Sequence, residues 1–454
     1  MRTPSLTESF GAINVSLALI SLGFVQGFGT ISLDKIDLQE EQESWFVSLD
    51  MMAATVFASL GGKMAEVIGI RRTFLICSPF IALGWVLVGT YVSTFWMFMG
   101  RALSGIGVAI VMVSPSVYIA ETAHPDCRTT LNAISGLAFS LGVCILWFLG
   151  YALEWQTVAF SATLSPILSF IGFLFLPDTP YWLVKNQELD KAFAALKYFR
   201  GNDKESEVID EFKEILRNYQ QQKTWSHLEK LKSMRSLRFV KPFLCIGILY
   251  PLYELGGMPA ITNYLQSIIV KSKLSMEPRT CTLVLGIVRI LASIMTMCSI
   301  QKMPPKLAYV AFAVIKSGSL LAMGVCFLLQ TYLQDISDFT WVPYALLFPI
   351  YISHTVLFPL NWMLIGELFP SELLNFAAGF IECIAYIVTF AMLKLYSQMK
   401  HSLGLHGVFF FYAISGAVCA LYAALTIPDN RGKSLSEIEK SYDCKTPLIN
   451  SPSH

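Results

Sequence analysis

Twelve apolar stretches divide this chain, and each has about the 20 residues that a helix needs to cross the hydrocarbon core of a bilayer. They form two sets of six with a polar segment between them. The first set lies near 11–31, 45–65, 73–92, 97–119, 130–152 and 156–176, and the second near 242–269, 281–300, 307–329, 341–365, 376–399 and 405–427. This pattern predicts an all-α membrane protein with 12 transmembrane helices.

The composition points to the same class. Charged residues make up 14% of the 454 residues, whereas about a quarter is usual in a soluble protein. The net charge of +1 argues against nucleic-acid binding, which needs a basic face. The 10 cysteines include no CxxC pair, so we expect neither a disulfide framework nor a metal site.

The polar middle segment contains runs whose apolar residues recur every three or four positions, which is typical of short amphipathic helices on a membrane surface. We therefore expect four parts: a six-helix half at 1–176, an intracellular helical segment at 177–241, a second six-helix half at 242–427 and a tail at 428–454. Lysine and arginine are concentrated in the short loops on the side of the middle segment. That asymmetry predicts that this segment and both termini are cytoplasmic.

The two halves repeat each other's landmarks. Glu121 in "YIAETAHPDCR" and Glu367 in "MLIGELFPSEL" both follow the fourth span of their half. "PDTPYWL" and "PDNRGKSL" both follow the sixth. Parallel repeats of six helices about an axis along the membrane normal indicate the major facilitator fold, in which the solute lies near mid-membrane between the halves.

Charged and glycine-rich motifs follow several spans at regular places. "GGKMAEVIGIRRT" follows the second span, "GRALSGIGVA" begins the fourth, "PSVYIAETAHPDCRTTL" ends it, "PDTPYWL" follows the sixth and "PDNRGKSLSEIE" follows the twelfth. In this order the motifs resemble those of the sugar porter family of the major facilitator superfamily, and within it the insect facilitated trehalose transporters. The resemblance covers nearly the whole chain and implies a carrier.

The resemblance also implies a cytoplasmic latch, in which acidic and basic groups at helix ends pair when the two halves close on that side and separate when they open. The residues that it assigns to the latch are Glu66, Arg71, Arg72, Glu121, Arg128, Asp178, Lys302, Lys306 and Glu367. The alternative is that these are ordinary interfacial charges that set the topology.

The second half departs from the family pattern. Where the family has an acid followed by Gly and Arg, this chain reads "QKMPPK", with Gln301, Pro304 and Pro305 at those positions. We therefore expect only a reduced latch there, formed by Glu367 with its two neighbouring lysines.

The positions that contact solute in the family also differ here. "YELGGMPAITNY" in the seventh span stands where the family has two Gln and an Asn, which suit hydroxyl-rich ligands because an amide both donates and accepts. The resemblance assigns solute contacts to Tyr253, Glu254, Asn263, Arg289, Asn361, Trp362 and Tyr386. The aromatic rings would stack on sugar faces and the polar groups would supply hydrogen bonds.

Several charges lie within apolar spans, where an unpaired charge is costly. Because Glu254 and Arg289 both replace amides that face the same sugar in the family, we expect an ion pair between them. The alternative is that one of them points to water or to a helix end. Lys316 and Lys394 are expected to extend to an interface, and Glu382 is a candidate, with His354, for a polar pathway.

Together these features predict the transport of a small polar solute, a hexose or trehalose by the resemblance, through facilitated diffusion and alternating access. The first span has no acid in its middle, where proton-coupled sugar carriers place an Asp. Two alternatives stay open: a carrier for a charged or non-glucose polyol-like solute, and a sensor that keeps the fold without transporting.

We expect no enzymatic activity, cofactor or metal site, because the chain has no Walker-type phosphate loop and its six histidines are dispersed. The expected partners are the solute and the lipid bilayer, with no nucleic acid and no obligate protein partner. The family's usual location implies the plasma membrane.

Overall fold

The computed structural model describes residues 4–112, 115–201, 205–221, 237–299, 303–332, 339–369 and 371–428. All regular secondary structure within these ranges is helical. The first six spans are Leu6–Ser32, Glu40–Ile68, Ile70–Thr90, Thr94–Met112 with Pro115–Thr122, Pro125–Ala152, and Trp155–Ala162 with Leu164–Phe175. The helices of the second half are Leu237–Leu255 with Met258–Asn263 and Leu265–Lys271, Pro278–Ser299, Pro305–Tyr332, Val342–Leu368 and Ser371–Thr426.

The described helices account for twelve spans. Ten of the described helices are long and apolar enough to cross a membrane, and the last of these ten contains two spans. The second span, bent by 50° between its two parts, completes the twelve. The last helix, Ser371–Thr426, has 56 residues, which is about 84 Å of helix and more than twice the thickness of a hydrocarbon core. It is divided by Gly404, whose φ of 71° is left-handed and suits glycine, into an eleventh span at 371–403 and a twelfth at 405–426.

The seventh span is broken where the sequence has two adjacent glycines. Gly257 has a φ of 72°, and its N–H closes a turn on the carbonyl of Glu254 at 3.0 Å. Helix resumes with Met258–Asn263, with Pro259 in its first turn, where a missing N–H costs nothing. The break therefore leaves Glu254 near the end of one helix and Asn263 on the next, both near the middle of the bundle.

Three further helices lie between the two halves in the part of the chain that the structure describes. We call Pro180–Lys185, Leu189–Arg200 and Glu205–Gln221 the linker helices, and the end of the bundle beside them the linker side. Their apolar faces share a small core of their own, formed by Trp182, Leu183, Val184, Ala192, Ala195, Leu196, Val208 and Ile215.

The two halves meet closely on the far side, remote from the linker helices. Lys394 donates to the Ser44 hydroxyl at 3.0 Å and lies 4.0 Å from the Trp45 ring centroid. Glu40 pairs with Lys400 and with His401. The contacts of Glu40 with Lys400 and His401 thus join the two halves on the far side.

Candidate functional site

Two cavities lie between the halves. The larger has a volume of about 560 Å³, and its polar lining consists of Ser116, Asn132, Ser135, Ser140, Arg289, Ser293, Thr296, His354, Thr355 and Trp362. The smaller has a volume of about 80 Å³, and its polar lining consists of Gln26, Asp50, Tyr250, Glu254, Asn263, Glu382, Tyr386 and Thr389. The larger volume is within the range of small-molecule sites, whereas the smaller holds only a few water molecules.

The larger cavity extends toward the linker side. Its walls run from Phe139, Arg289 and His354 near the middle of their spans to Pro115 and Leu374 near the span ends. Since the far side is closed by the contacts of Lys394 and Glu40, the structure is open toward the linker side and closed on the far side.

Two aromatic rings line both cavities. Phe139 of the fifth span and Phe358 of the tenth stack across the two halves, with ring centroids 5.4 Å apart and planes 17° from parallel. Because one ring comes from each half, this shared wall depends on how the halves are placed against each other.

The expected ion pair between Glu254 and Arg289 is absent from the structure. Glu254 accepts a hydrogen bond from the Thr389 hydroxyl at 3.2 Å and lines the smaller cavity. The charge that acts on it is that of Lys316, which is buried rather than extended to an interface as the sequence suggested. Lys316 starts too near the middle of its 28-residue helix to reach an interface, and its ammonium lies 3.5 Å from the Tyr253 carbonyl oxygen.

Arg289 faces the first half instead. Its Nη2 donates to Oε1 of Gln26 at 3.1 Å, and its guanidinium lies 5.1 Å from the centroid of the Phe139 ring. Its Nε and Nη1 are buried without a hydrogen-bond partner. The position that the family fills with an amide thus holds a guanidinium, and two of its nitrogen donors make no hydrogen bond.

Asp50 and Arg101 form a buried ion pair that the sequence did not predict. Arg101 Nη2 lies 2.8 Å from Asp50 Oδ2, and both side chains are 2% exposed. Arg101 also donates to the carbonyl oxygens of Phe46 and Val25. The other carboxylate oxygen of Asp50 has no partner, and the residue lines the smaller cavity. The available signal was an acid in the second span and an arginine at the start of the fourth.

Glu382 is the third carboxylate of the smaller cavity. It is 1% exposed, and the hydroxyl groups of Tyr250 and Tyr386 lie beside it. Its Oε1 has no hydrogen-bond partner. No cation of the described residues lies within ion-pair distance of Glu382 or Glu254, so the acidic character of this cavity is only partly balanced.

The structure distributes the seven predicted solute contacts unevenly. Glu254, Asn263 and Tyr386 line the smaller cavity, while Arg289 and Trp362 line the larger. Tyr253 and Asn361 line neither. Tyr253 bonds the imidazole of His354 with its hydroxyl at 2.6 Å, and Asn361 accepts from Tyr309 at 2.9 Å. Tyr253 therefore contacts His354, a residue that lines the larger cavity, and Asn361 bonds a residue outside both linings.

The predicted latch residues of the first half are joined to the linker helices and to the short segment that precedes them. Asp178 lies 3.7 Å from Arg71 and 3.6 Å from Arg72, and Lys185 lies 2.8 Å from Glu66. Glu121 accepts a hydrogen bond from Thr179. These interactions therefore stay within the first half and its attached helices, and none of them crosses to the second half.

Arg128 lies next to the phenol of Tyr181. Burial raises the pKa of Tyr181 above its ordinary value, and the Arg128 guanidinium partly offsets that rise. In the second half, Lys306 and Glu367 form no ion pair with any described residue. Lys302 lies outside the described residues. The reduced latch therefore stays a prediction.

A buried cluster at the linker side escaped the sequence reasoning. Arg200 Nη1 lies 2.7 Å from Glu8, and Arg200 Nη2 lies 2.6 Å from Glu211. Glu8 also accepts from the backbone N–H of His124 at 2.9 Å and caps the first span together with Ser5. Nothing in the local sequence marked Glu8 and Arg200, which are 192 positions apart, as partners.

The fold, with twelve spans in two halves and a cavity between them, is that of a polytopic membrane transporter of the major facilitator type. Among solved structures, the proton:xylose symporter XylE bound to 6-bromo-6-deoxy-D-glucose is similar, with a TM-score of 0.76, 17% identity, and coverage of 97% of this chain and 100% of that one. A partially occluded inward-open conformation of XylE from E. coli gives a TM-score of 0.79 at 15% identity, covering 95% of this chain and all of that one.

Sequence comparison shows the family. A family model described as "Sugar (and other) transporter" matches residues 10–442, so the chain belongs to that family. It is 26% identical over 445 residues to a facilitated trehalose transporter of Anopheles gambiae, covering 96% of this chain and 56% of that protein. It is 27% identical over 447 residues to one of Polypedilum vanderplanki, covering 96% of this chain and 88% of the relative. The chain thus spans about half the length of the Anopheles protein.

Proposed function

We propose that this protein carries a small polar solute, by default a hexose or trehalose, across a membrane by facilitated diffusion. The observation that carries the proposal is the larger cavity. Its volume of about 560 Å³ suits a small solute, it lies between the two halves, and it is lined by hydroxyl groups that can bond a sugar. The family and the trehalose-transporting relatives support the same solute class.

Alternating access follows from the asymmetry of the contacts between the halves. In the present arrangement the far side is held by Lys394 on Ser44 and by Glu40 on Lys400. The opposite arrangement would break these contacts and close the larger cavity at the linker side. The solute leaves chemically unchanged, so the function needs no catalytic group and no cofactor.

Facilitated diffusion is favoured over proton coupling by the first span. The acid that begins it, Glu8, is already held by Arg200 at the linker side. Asp50 belongs to the second span and is paired with Arg101. The lysine and arginine bias of the short loops supports a cytoplasmic linker side, and the family supports the plasma membrane.

A second candidate is a carrier for a charged solute. It is favoured by one observation: charged side chains line both cavities, with Arg289 in the larger and three carboxylates in the smaller. Asp50 is matched by Arg101, whereas a hydroxyl-only solute brings no charge to match Arg289, Glu254 or Glu382.

The test is uptake of labelled D-glucose and trehalose into liposomes that contain the purified protein, with and without a pH gradient. We expect saturable uptake that is indifferent to the gradient, and L-glucose measures the leak. Dependence on the gradient would contradict facilitated diffusion. If folded protein transports neither sugar, the default substrates are rejected, and the charged-solute carrier and the sensor remain.

A further inference from the structure

Arg289 has an unusual place in the larger cavity. It is the sole charged side chain among the described residues that line this cavity, and the rest of the lining is apolar, hydroxyl, amide, imidazole or indole. Its side chain is buried, with 3% exposure. A solute that enters from the linker side therefore meets one fixed positive charge in an otherwise uncharged chamber.

That positive charge has no counter-ion among the residues that the structure describes. No carboxylate of the described residues lies within 4 Å of the guanidinium, and the titratable groups that act on it are Tyr351, Tyr253 and Cys144. Only Nη2 makes a hydrogen bond, to Gln26, while Nε and Nη1 have none. A buried charge without a partner is costly, so its retention calls for a ligand that supplies the missing negative charge.

The nearby acids do not fill that role. Asp50 is occupied by Arg101, and Glu254 is bonded to Thr389. Both belong to the smaller cavity, beyond the stacked rings of Phe139 and Phe358. An anion in the larger cavity would thus have Arg289 in its lining and none of these carboxylates.

We propose that the solute of this carrier is a sugar acid, a hydroxylated ring or chain with one carboxylate, and that Arg289 binds the carboxylate. This inference rests on the proposed transport function and names its substrate class. One guanidinium charge is matched by one carboxylate charge, whereas a phosphate ester would bring an excess of about 0.5 to 1 negative charge. The planar guanidinium fork also matches the two oxygens of a carboxylate.

The remaining lining suits the rest of such a solute. Ser293 donates to Ser140 at 2.7 Å across the two halves, and either hydroxyl can also bond a sugar hydroxyl. The indole N–H of Trp362 is buried without a partner on the same cavity wall. Nη1 with Nη2 forms one edge of the guanidinium and Nε with Nη2 the other, so on either edge one unused donor and Nη2 can meet the two carboxylate oxygens.

The experiment compares labelled D-glucuronate with labelled D-glucose, which differ by a carboxylate in place of a hydroxymethyl group, in the same liposomes at pH 7. Wild type should take up glucuronate with a KM about 10- to 100-fold lower than that for glucose. Arg289→Gln should remove this preference, and Arg289→Lys, which keeps the charge without the fork, should retain part of it. Arg217→Gln, the same change on an exposed linker helix, should alter neither uptake.

A second readout does not depend on transport. Glucuronate should raise the thermal midpoint of the detergent-solubilised wild type and of Arg217→Gln but not that of Arg289→Gln, whose own midpoint reports whether the variant folds. Uptake of glucose with neither uptake nor stabilisation by glucuronate would overturn the sugar-acid proposal and leave the sugar carrier standing. Failure of both solutes in both assays would overturn both. Stronger competition by glucose 6-phosphate than by glucuronate would overturn the carboxylate assignment.

Discussion

Phe139 and Phe358 stack at 5.4 Å between ring centroids, and with Met112 they line both cavities. One ring belongs to the fifth span and the other to the tenth, so the stack forms across the interface between the halves. The stack therefore lies where the larger cavity meets the acidic one.

Removing one ring should join the cavities. Phe358→Ala deletes the second-half ring of the stack, so a longer solute gains room, and we expect the ratio of trehalose uptake to glucose uptake to rise. The measurement is paired uptake in liposomes. Phe358→Leu, which keeps most of the bulk, is the matched control and should stay near the wild-type ratio. An unchanged ratio in the alanine variant would show that the rings do not limit the space for solute.

The Asp50–Arg101 pair should be important for stability. Arg101→Gln leaves the Asp50 carboxylate buried without its counter-ion, and breaking such a pair from one side costs about 3–5 kcal/mol. We expect the thermal midpoint in detergent to fall well below that of wild type. The double variant Asp50→Asn with Arg101→Gln should recover much of the loss, because no charge is then left unpaired. A double variant that is as unstable as the sum of its parts would contradict this account.

The Glu8–Arg200 contact should fix the linker helices to the first span. Arg200→Gln strands a buried carboxylate, so we expect a loss of about 3–5 kcal/mol and faster proteolysis in the linker helices. Lys197 lies in the same helix as Arg200, and Lys197→Gln breaks its exposed pair with Glu205 of the next linker helix. Exposed pairs are worth about 0–1 kcal/mol. Equal protease sensitivity in the two variants would argue against an anchoring role for Arg200.

The far-side contacts should have to open during transport. With Ser44→Cys and Lys394→Cys combined, a bifunctional thiol reagent about as long as a lysine side chain should join the second and eleventh spans and abolish uptake, because the halves can no longer separate there. Each single-cysteine variant, treated in the same way, is the control. Undiminished uptake in the cross-linked protein would exclude separation of the halves at this point.

The sequence predicted the spans because their length and composition are set by the bilayer, and the structure and the family match confirm the major facilitator fold. The pairing of the buried charges could not be predicted from the sequence in the same way. The partner of Asp50 depends on how the second and fourth spans are rotated against each other, and that of Glu254 on a lysine of the ninth span. Helix rotation is decided by packing across the bundle, which a single span does not encode.

The arrangement at Arg289 shows the same limit. Sequence reasoning placed it at a solute-contacting position and paired it with Glu254, because both replace family amides. In the structure Glu254 lines the smaller cavity and Arg289 the larger, and Arg289 donates to Gln26 of the first span instead. The substitution pattern thus pointed to a residue that lines the larger cavity, while the direction of its side chain required the three-dimensional neighbours.

The ties of Arg200 to Glu8 and of Asp178 to Arg71 and Arg72 have a mechanical consequence. They hold the linker helices on the first half. These helices therefore move together with that half and do not act as an independent hinge. A protein that binds the exposed face of the linker helices is therefore fixed relative to all six spans of the first half. With this protein bound, the movement of the six spans of the second half would be measured as a change in their distance from it.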